Sequence, residues 1–120
     1  FIDKRPDIFR NIDKICIEIQ MAAKFKVIAT AFQCFFWDKS SLISPRALRC
    51  HFKISTGNYN KNKKASIEII STLPISQSNI DLFNSYEAAK KDDVADAILI
   101  ALYYVQIQNK KKTRKKRKLK

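Results

Sequence analysis

The apolar residues of this chain recur with two different periods, and the change from one period to the other divides the chain into predicted elements. Residues 14–19 alternate between isoleucine and other side chains, which predicts a strand. Residues 21–37 repeat apolar, mostly aromatic side chains every three or four positions, which predicts a helix that serves as core or as a dimer face. Residues 41–43 predict a second short strand, ended by Pro45. A right-handed crossover through the helix places these two strands parallel.

The pattern of the other segments is weaker. The only glycine falls in a polar, lysine-rich stretch, and Pro74 stops the apolar period that follows it. We therefore predict, in chain order, one or two helical turns in 1–12, a helical turn in 45–52, a polar basic loop in 54–64, a helix in 63–73 and a polar linker in 79–89.

The last predicted helix begins with three carboxylates within five residues, Asp92, Asp93 and Asp96. At ~100° per residue they share one side of the helix. The positions below them are apolar, so the helix is predicted to be buried nearly all round. Carboxylates in such a place repel one another and resist desolvation, and a divalent cation is the usual remedy. Helix capping, with neutralisation by the two preceding lysines, is the alternative.

Glu18 is a single carboxylate close to the end of the first predicted strand. In an open α/β sheet, catalytic groups gather at the carboxyl ends of the strands, so Glu18 is predicted to meet the helical aspartates there. One strand glutamate and a helical aspartate pair can hold two Mg²⁺ ions for phosphodiester hydrolysis, in which an activated water is the nucleophile. An edge strand with Glu18 in water is the alternative.

Composition excludes several classes of protein. With 120 residues the chain is large enough for one domain, and 46% apolar residues with one Gly argue against disorder. No stretch predicts a bilayer span or a cleavable leader, so no membrane partner is expected. Three cysteines without a CxxC pair, and one histidine, predict neither a zinc site nor a nucleophile triad. They predict reduced thiols in a reducing intracellular compartment.

The net charge of +13 is unevenly distributed. Nine of the 24 Lys and Arg lie in residues 110–120, which hold no acid, so the rest of the chain carries 15 cations against 11 acids, or +4. Residues 109–120 are therefore predicted to be a disordered tail that binds nucleic acid; a nuclear-import signal, an anionic membrane and plain solubilisation are alternatives. The predicted DNA-binding residues of the tail are Lys110, Lys111, Lys112, Arg114, Lys115, Lys116 and Arg117.

A second basic group lies in the middle of the chain, within the predicted loop. Lysines there, with the nearby Tyr59, can track a phosphate backbone, and solvated loop lysines are the equal alternative. The residues predicted to contact DNA in this way are Lys53, Lys61, Lys63 and Lys64.

Taken in order, IEIQ, a helix, LISP, the basic NYNKNKKASIE and KKDDVADAILIALYY resemble the RuvC-like Holliday junction resolvases, especially those of poxviruses and other large DNA viruses. The resemblance covers about residues 14–104, and KKDDVADA is its most specific part. It implies a ribonuclease H-like α/β fold and a homodimer that nicks opposed strands of a four-way DNA junction with Mg²⁺ or Mn²⁺. It also implies action at a viral replication site or in the nucleus of the infected cell.

Residue by residue, the resemblance implies that Glu18, Asp93 and Asp96 are catalytic metal ligands. Asp92 is implied as a fourth catalytic residue that replaces or supports Asp93. Lys91 and the lysines of the basic segment would belong to the DNA surface.

The chain departs from the family at its beginning. The family's first carboxylate is an Asp on an opening strand, and neither Asp3, close to Pro6, nor Asp7, in a predicted helical turn, fits that pattern. We therefore expect residues 1–108 to form a partial ribonuclease H-like domain without its first strands, and little or no nuclease activity from these 120 residues alone. A catalytically inactive nucleic-acid-binding protein of the same fold, or another ribonuclease H-like nuclease, is the alternative.

Overall fold

Within residues 3–54 and 57–118, which the computed structural model describes, the chain divides into two units, Phe1–Ser44 and Pro45–Lys120. The first unit is a strand–helix–strand arrangement preceded by a single helical turn, and the second is entirely helical. In chain order the elements are α1 (Pro6–Phe9), β1 (Ile15–Glu18), α2 (Ala23–Phe35), β2 (Ser40–Ile43), α3 (Pro45–Phe52), α4 (Tyr59–Ser71), α5 (Gln77–Ser85) and α6 (Ala88–Lys118).

The sheet of the first unit consists of β1 and β2, which pair in parallel as predicted. Ile15 lies opposite Ser40, and Glu18 lies opposite Ile43 at the carboxyl end of both strands. Backbone hydrogen bonds continue the ladder at each end, from Ile15 N–H to the Lys39 carbonyl at 2.8 Å and from Ile19 N–H to the Ile43 carbonyl at 2.9 Å. The predicted parallel order of the two strands is therefore confirmed.

Aromatic rings join α1 to α2 in the first unit. The Phe9 ring stacks on Phe36 with centroids 5.7 Å apart, and Phe32 stacks on Phe36 at 6.3 Å. Phe36 is 9% exposed, but no residue within α2 itself is buried. Large apolar side chains of α2 remain open, among them Val27 (71% exposed) and Ile28 (54%). The predicted helix is confirmed, with ends two residues inside the predicted range.

The predicted polar loop over 54–64 is wrong from Tyr59 onward, where α4 begins. Gly57 adopts a left-handed φ of 71°, and Asn58 then caps the helix by accepting a hydrogen bond from the Lys61 N–H at 3.1 Å. Asparagine is a strong N-cap residue, and lysines are good helix formers. The cap therefore allows a helical start in a stretch that has no apolar period.

The predicted linker over 79–89 is also wrong, because α5 occupies Gln77–Ser85. One large apolar side chain, Phe83, anchors this serine- and asparagine-rich helix against the rest of the second unit. Phe83 is 6% exposed, and the Lys91 ammonium lies 5.3 Å from its ring centroid. This cation–π contact joins α5 to the first turn of α6.

The last helix, α6, is buried along one face. Ala95 and Leu99 are fully buried, and Ile70 of α4 is 1% exposed. The opposite side is an exposed ridge formed by Asp93, Ala97, Ala101 and Val105, which we call the α6 ridge. The prediction that the helix is buried nearly all round is therefore wrong for this ridge.

The structure also differs from the predicted disordered tail, because α6 continues through residues 109–118. Lysine and arginine have high helix propensity, and no Gly or Pro interrupts the segment. A helix already formed and packed upstream needs no new nucleus to extend.

Candidate active site

The three aspartates of α6 occupy different environments, although five residues contain them all. Asp92 faces α4, and its side chain is 17% exposed. Asp93 lies on the α6 ridge and is exposed, and Asp96 is exposed beside the α4 contact. The shared helix side that the sequence predicts is thus divided between a contact with α4 and open solvent.

Asp92 is held by a lysine of α4. The Lys63 ammonium donates to the Asp92 carboxylate with Nζ–Oδ2 at 2.6 Å, and the Lys63 side chain is 32% exposed. The ring of Tyr59 lies 4.9 Å from the same Nζ. The hydrogen bond to Asp92 and then that to Tyr59 raise the pKa of Lys63 well above its ordinary value. Lys63 is therefore cationic at any physiological pH.

Asp96 carries a carboxyl that is harder to ionise than usual. Loss of solvent around it raises its pKa, and the nearby Asp92 charge adds to that rise. The Ser66 hydroxyl, within hydrogen-bonding reach and 4% exposed, lowers the pKa, as do Arg49 and Lys63. The net shift is upward, so the ionised form of Asp96 is less favourable in the folded protein than in water.

Glu18 lies in the first unit, where it ends β1. Its neighbour Gln20 turns back on it, with Nε2 at 3.2 Å from the Glu18 carbonyl and 3.5 Å from Oε2. Glu18 lines an open cleft of about 490 Å³ between β1 and α2, with Phe25 and Phe32 on the helical wall. The predicted position of Glu18, at the carboxyl end of a strand, is confirmed.

The predicted metal site requires carboxylates of both units. Glu18 belongs to the first unit and the α6 aspartates belong to the second. Within the described residues of either unit, no three His, Cys, Asp or Glu side chains come together as a metal-binding group. Carboxylate oxygens are the donors that Mg²⁺ prefers, so the predicted set fits the ion in its chemistry. The assembly of Glu18, Asp93 and Asp96 stays a prediction.

The lysines predicted to bind DNA fall into two groups. Lys63 is paired with Asp92, and Lys91 lies over Phe83 and is partly covered. Lys63 and Lys91 therefore already make contacts with other residues of the second unit. The others with described side chains are exposed: Lys53, Lys61, Lys64, Lys110, Lys111, Lys112, Arg114, Lys115 and Arg117. The side chain of Lys116 lies outside the described residues.

Sequence reasoning missed three polar contributors. Ser66 and Arg49 act on Asp96, and neither carries a motif that could be recognised in one sequence. His51, the one histidine of the sequence, has its Nε2 2.6 Å from Gln106 Oε1 on α6 and packs edge-on against Tyr103 at 5.1 Å. It is a structural link between α3 and α6. Spacing along the chain gives no signal for such contacts.

No helix in the described part of the chain is both long and apolar enough to cross a membrane. The described structure is mostly helical with one two-stranded parallel sheet. Its first strand ends in Glu18, and its last helix carries aspartates near its start and a basic segment at its end. The chain matches the family model of the poxvirus A22 protein over residues 4–109 and therefore belongs to that family.

The poxvirus A22 family is associated with Holliday junction resolvases, so the chain is related to nucleases of the resolvase type that bind branched DNA. The resemblance to poxvirus resolvases is confirmed at the level of the family. The match spans Glu18 and all three aspartates. Neither a curated protein nor a solved structure matches the chain.

Proposed function

We propose that this protein is a structure-selective endonuclease that resolves four-way DNA junctions, built on a ribonuclease H-like, RuvC-like fold. The observation that carries the proposal is the family match, which covers residues 4–109 and includes every predicted carboxylate. The parallel β1–β2 pair, with Glu18 at its carboxyl end, supports it because that edge is where α/β enzymes place their catalytic groups.

The proposed ligands are Glu18, Asp93 and Asp96, with Mg²⁺ or Mn²⁺ as the cofactor. Paired divalent ions, when bound, activate a water and stabilise the leaving oxygen in phosphodiester hydrolysis. The environment of the aspartates supports this choice within the α6 cluster. Asp92 is already neutralised by Lys63, whereas Asp93 is exposed and Asp96 is destabilised as an anion. Asp92 then acts in support, by holding Lys63 beside the site.

The proposed DNA surface consists of the exposed lysines around α4 and the basic end of α6. Four-way junctions are recognised by shape and backbone charge more than by base edges, which suits lysines and arginines spread over two segments. The protein would act as a homodimer, since two opposed strands must be cut. The open apolar side of α2 is the proposed dimer face.

A second candidate function is junction binding without cleavage. The observation that favours it is the Lys63–Asp92 pair, which satisfies one carboxylate of the cluster without a metal. A protein that has lost cleavage could keep the fold, the lysines and the basic helix. Catalysis separates the two candidates, whereas binding does not.

The test is cleavage of a synthetic four-way junction and of the matched linear duplex in Mg²⁺, using the protein as its gene encodes it. We expect symmetrical nicks in the junction and none in the duplex. Replacing Asp93 with Asn should reduce cleavage by at least ~10³-fold, because a metal ligand is lost. Asp81→Asn is the matched control, since Asp81 is an exposed carboxylate on α5 that hydrogen bonds only locally to Gln77 at 2.8 Å.

Equal cutting of linear duplex and junction would contradict the resolvase proposal. Tight junction binding without cleavage in Mg²⁺ or Mn²⁺ would select the second candidate. Loss of junction binding in Asp93→Asn would show that the residue has a structural role.

A further inference from the structure

The basic end of α6 is a continuation of the helix that carries the aspartates. The helix spans Ala88–Lys118 without interruption, which corresponds to a rod of about 46 Å. No acidic residue follows Asp96 in the sequence, and nine cations follow Asn109. Helical geometry therefore fixes the distance and direction from the aspartates to the cations with described side chains, which are Lys110, Lys111, Lys112, Arg114, Lys115 and Arg117.

Eighteen residues make five complete turns of an α-helix, so side chains 18 positions apart point the same way about 27 Å apart. Lys111 lies 18 residues beyond Asp93, and Lys115 lies 18 residues beyond Ala97. Both lysines are exposed, and both continue the α6 ridge. By the same count, Lys110 and Arg117 lie on the opposite side of the helix, in line with the face that packs against α4.

The side chains between these two ends leave the ridge open to a large ligand. Ala97 and Ala101 are small and exposed, and Val105 is 53% exposed. None of them is charged, so nothing on the ridge repels an anion between Asp93 and the basic end. A duplex could lie along this side against Ala97, Ala101 and Val105.

The charges themselves indicate the partner. Lysines and arginines four residues apart on a helix repel, and this segment has such pairs at 110/114 and 111/115 with no acid to offset them. A polyanion whose charges follow one another in a row relieves that repulsion. DNA carries a phosphate about every 3.4 Å along each strand, close to the rise of two to three helical residues.

We propose that the ridge side of the basic helix, led by Lys111 and Lys115, grips the backbone of one junction arm at a fixed distance from the carboxylates. This rests on the proposed function and adds to it. A spacing of about 27 Å corresponds to about eight base pairs of duplex alongside the helix. The basic end is then a spacer of set length, whereas a disordered tail would contact DNA at no set distance.

The test is a hydroxyl-radical footprint, with the salt dependence of binding, on a four-way junction whose arms are at least twice that spacing. The full chain is used without divalent ions, so that no strand is cut. Two double variants remove the same charge from opposite sides: Lys111→Gln with Lys115→Gln on the ridge, and Lys110→Gln with Arg117→Gln across from it. Asn109→Pro breaks the exposed helix while keeping all nine cations, and Asn109→Ala is its control.

We expect the wild-type chain to protect the junction centre and a second patch about eight base pairs out along one arm. The ridge variant should lose that patch, and the slope of log K against log salt should shrink by about 1.8. The opposite variant should keep the patch. Asn109→Pro should spread or abolish the patch while Asn109→Ala keeps it; if Asn109→Pro fails to fold, the two charge variants decide the matter.

Equal losses in the two charge variants, or an unchanged footprint in a folded Asn109→Pro, would overturn the proposal in favour of a flexible polybasic tail. Binding of the segment to an import receptor with no footprint on DNA would overturn it too. A wild-type chain that prefers linear duplex would instead contradict the proposed function, while a ridge-dependent patch on that duplex would still support the helical contact.

Discussion

Helix α2 and residues 94–105 of α6 are both rich in apolar side chains, but their surroundings are very different. In α6, Ala95 and Leu99 are fully buried, because α3, α4 and α5 all contact that helix. In α2, no residue is buried, and Val27 and Ile28 remain more than half exposed. A helical apolar period therefore predicts the helix well, but it does not predict whether other parts of the same chain pack against the apolar face of that helix.

The two helices therefore contribute differently to the free energy of unfolding. Packing around Leu99 holds the candidate aspartates in place from below, so their geometry depends on the second unit alone. The apolar side of α2 contributes little in this form of the chain, since side chains that stay in water gain nothing from burial. Its contribution would appear only when a partner covers it.

The largest effect is expected when one apolar side chain of each helix is shortened to alanine and the two variants are compared. Leu99→Ala should lower the free energy of unfolding by about 3 kcal/mol, because it removes a fully buried side chain and leaves a cavity. Ile28→Ala should change it by less than about 0.5 kcal/mol, because that side chain is already 54% exposed. Urea unfolding of the two variants measures both values; similar losses would mean that α2 is covered in solution.

A smaller effect is expected at the polar end of the α4–α6 contact. Lys63→Met should lower the melting temperature by less than Leu99→Ala does, because Asp92 is left largely covered without its cation. Adding Asp92→Asn to Lys63→Met should recover part of that loss. A double-mutant cycle measured by thermal melting gives the interaction energy between Lys63 and Asp92. Strictly additive losses would show that the two side chains do not interact in solution.

Asp96 should show a pH-dependent effect of still smaller size. Because its pKa is raised in the folded protein, the folded state binds this proton more tightly than the unfolded chain does. Its stabilising contribution is therefore present below the ordinary pKa of 3.8 and is lost as pH rises through the raised value.

Asp96→Asn should accordingly melt above wild type at neutral pH and match it at a pH below 3.8, in a series of melting curves across that range. Asp93→Asn is the control, since Asp93 is exposed on the ridge and its loss should leave the melting temperature nearly unchanged. A lower melting temperature for Asp96→Asn at neutral pH would contradict the upward shift. A gain in stability together with a loss of cleavage would show that the site is maintained at the expense of stability.

The smallest expected effect is a difference in the rates at which the three cysteines are alkylated, which reports on how open the surroundings of α2 are. Cys34 on α2 and Cys50 on α3 are exposed, whereas Cys16 on β1 is partly covered. Burial raises the pKa of the Cys16 thiol, with Lys14 opposing the rise in part. Iodoacetamide should therefore label Cys34 and Cys50 first, as followed by mass spectrometry of the peptides. Equally fast labelling of Cys16 would show that the β1–α2 cleft opens freely.

The sequence was informative about the fold where one periodicity dominated. The alternation of residues 14–19 and the helical period after it predict β1 and α2 to within two residues. The start of α4 was missed because it is polar and depends on a cap, Asn58, and the whole of α5 was missed because it is polar apart from a few side chains and is held by one buried ring, Phe83. Neither feature produces a period that can be read in advance.

The candidate site was predictable only in part. The acids of α6 stand out by their density, and Glu18 stands out by its place at a strand end. The role of Lys63 could not be read in this way, because its partner Asp92 is 29 residues away and a lysine in a basic segment predicts a solvent or phosphate contact. Contacts between segments that are distant in the sequence decide which of several similar charged side chains remains able to bind a ligand.

The unbroken length of α6 makes it a lever. A tilt of about 5° around the packing at Leu99 would move the end of the helix at Lys118, about 28 Å away, by about 2.5 Å. Force applied to the basic end by a bound duplex would thus reach the aspartates as torque about one tightly packed leucine. Because Ala95 and Leu99 are both fully buried, the packing around them would set how much of that displacement reaches the aspartates.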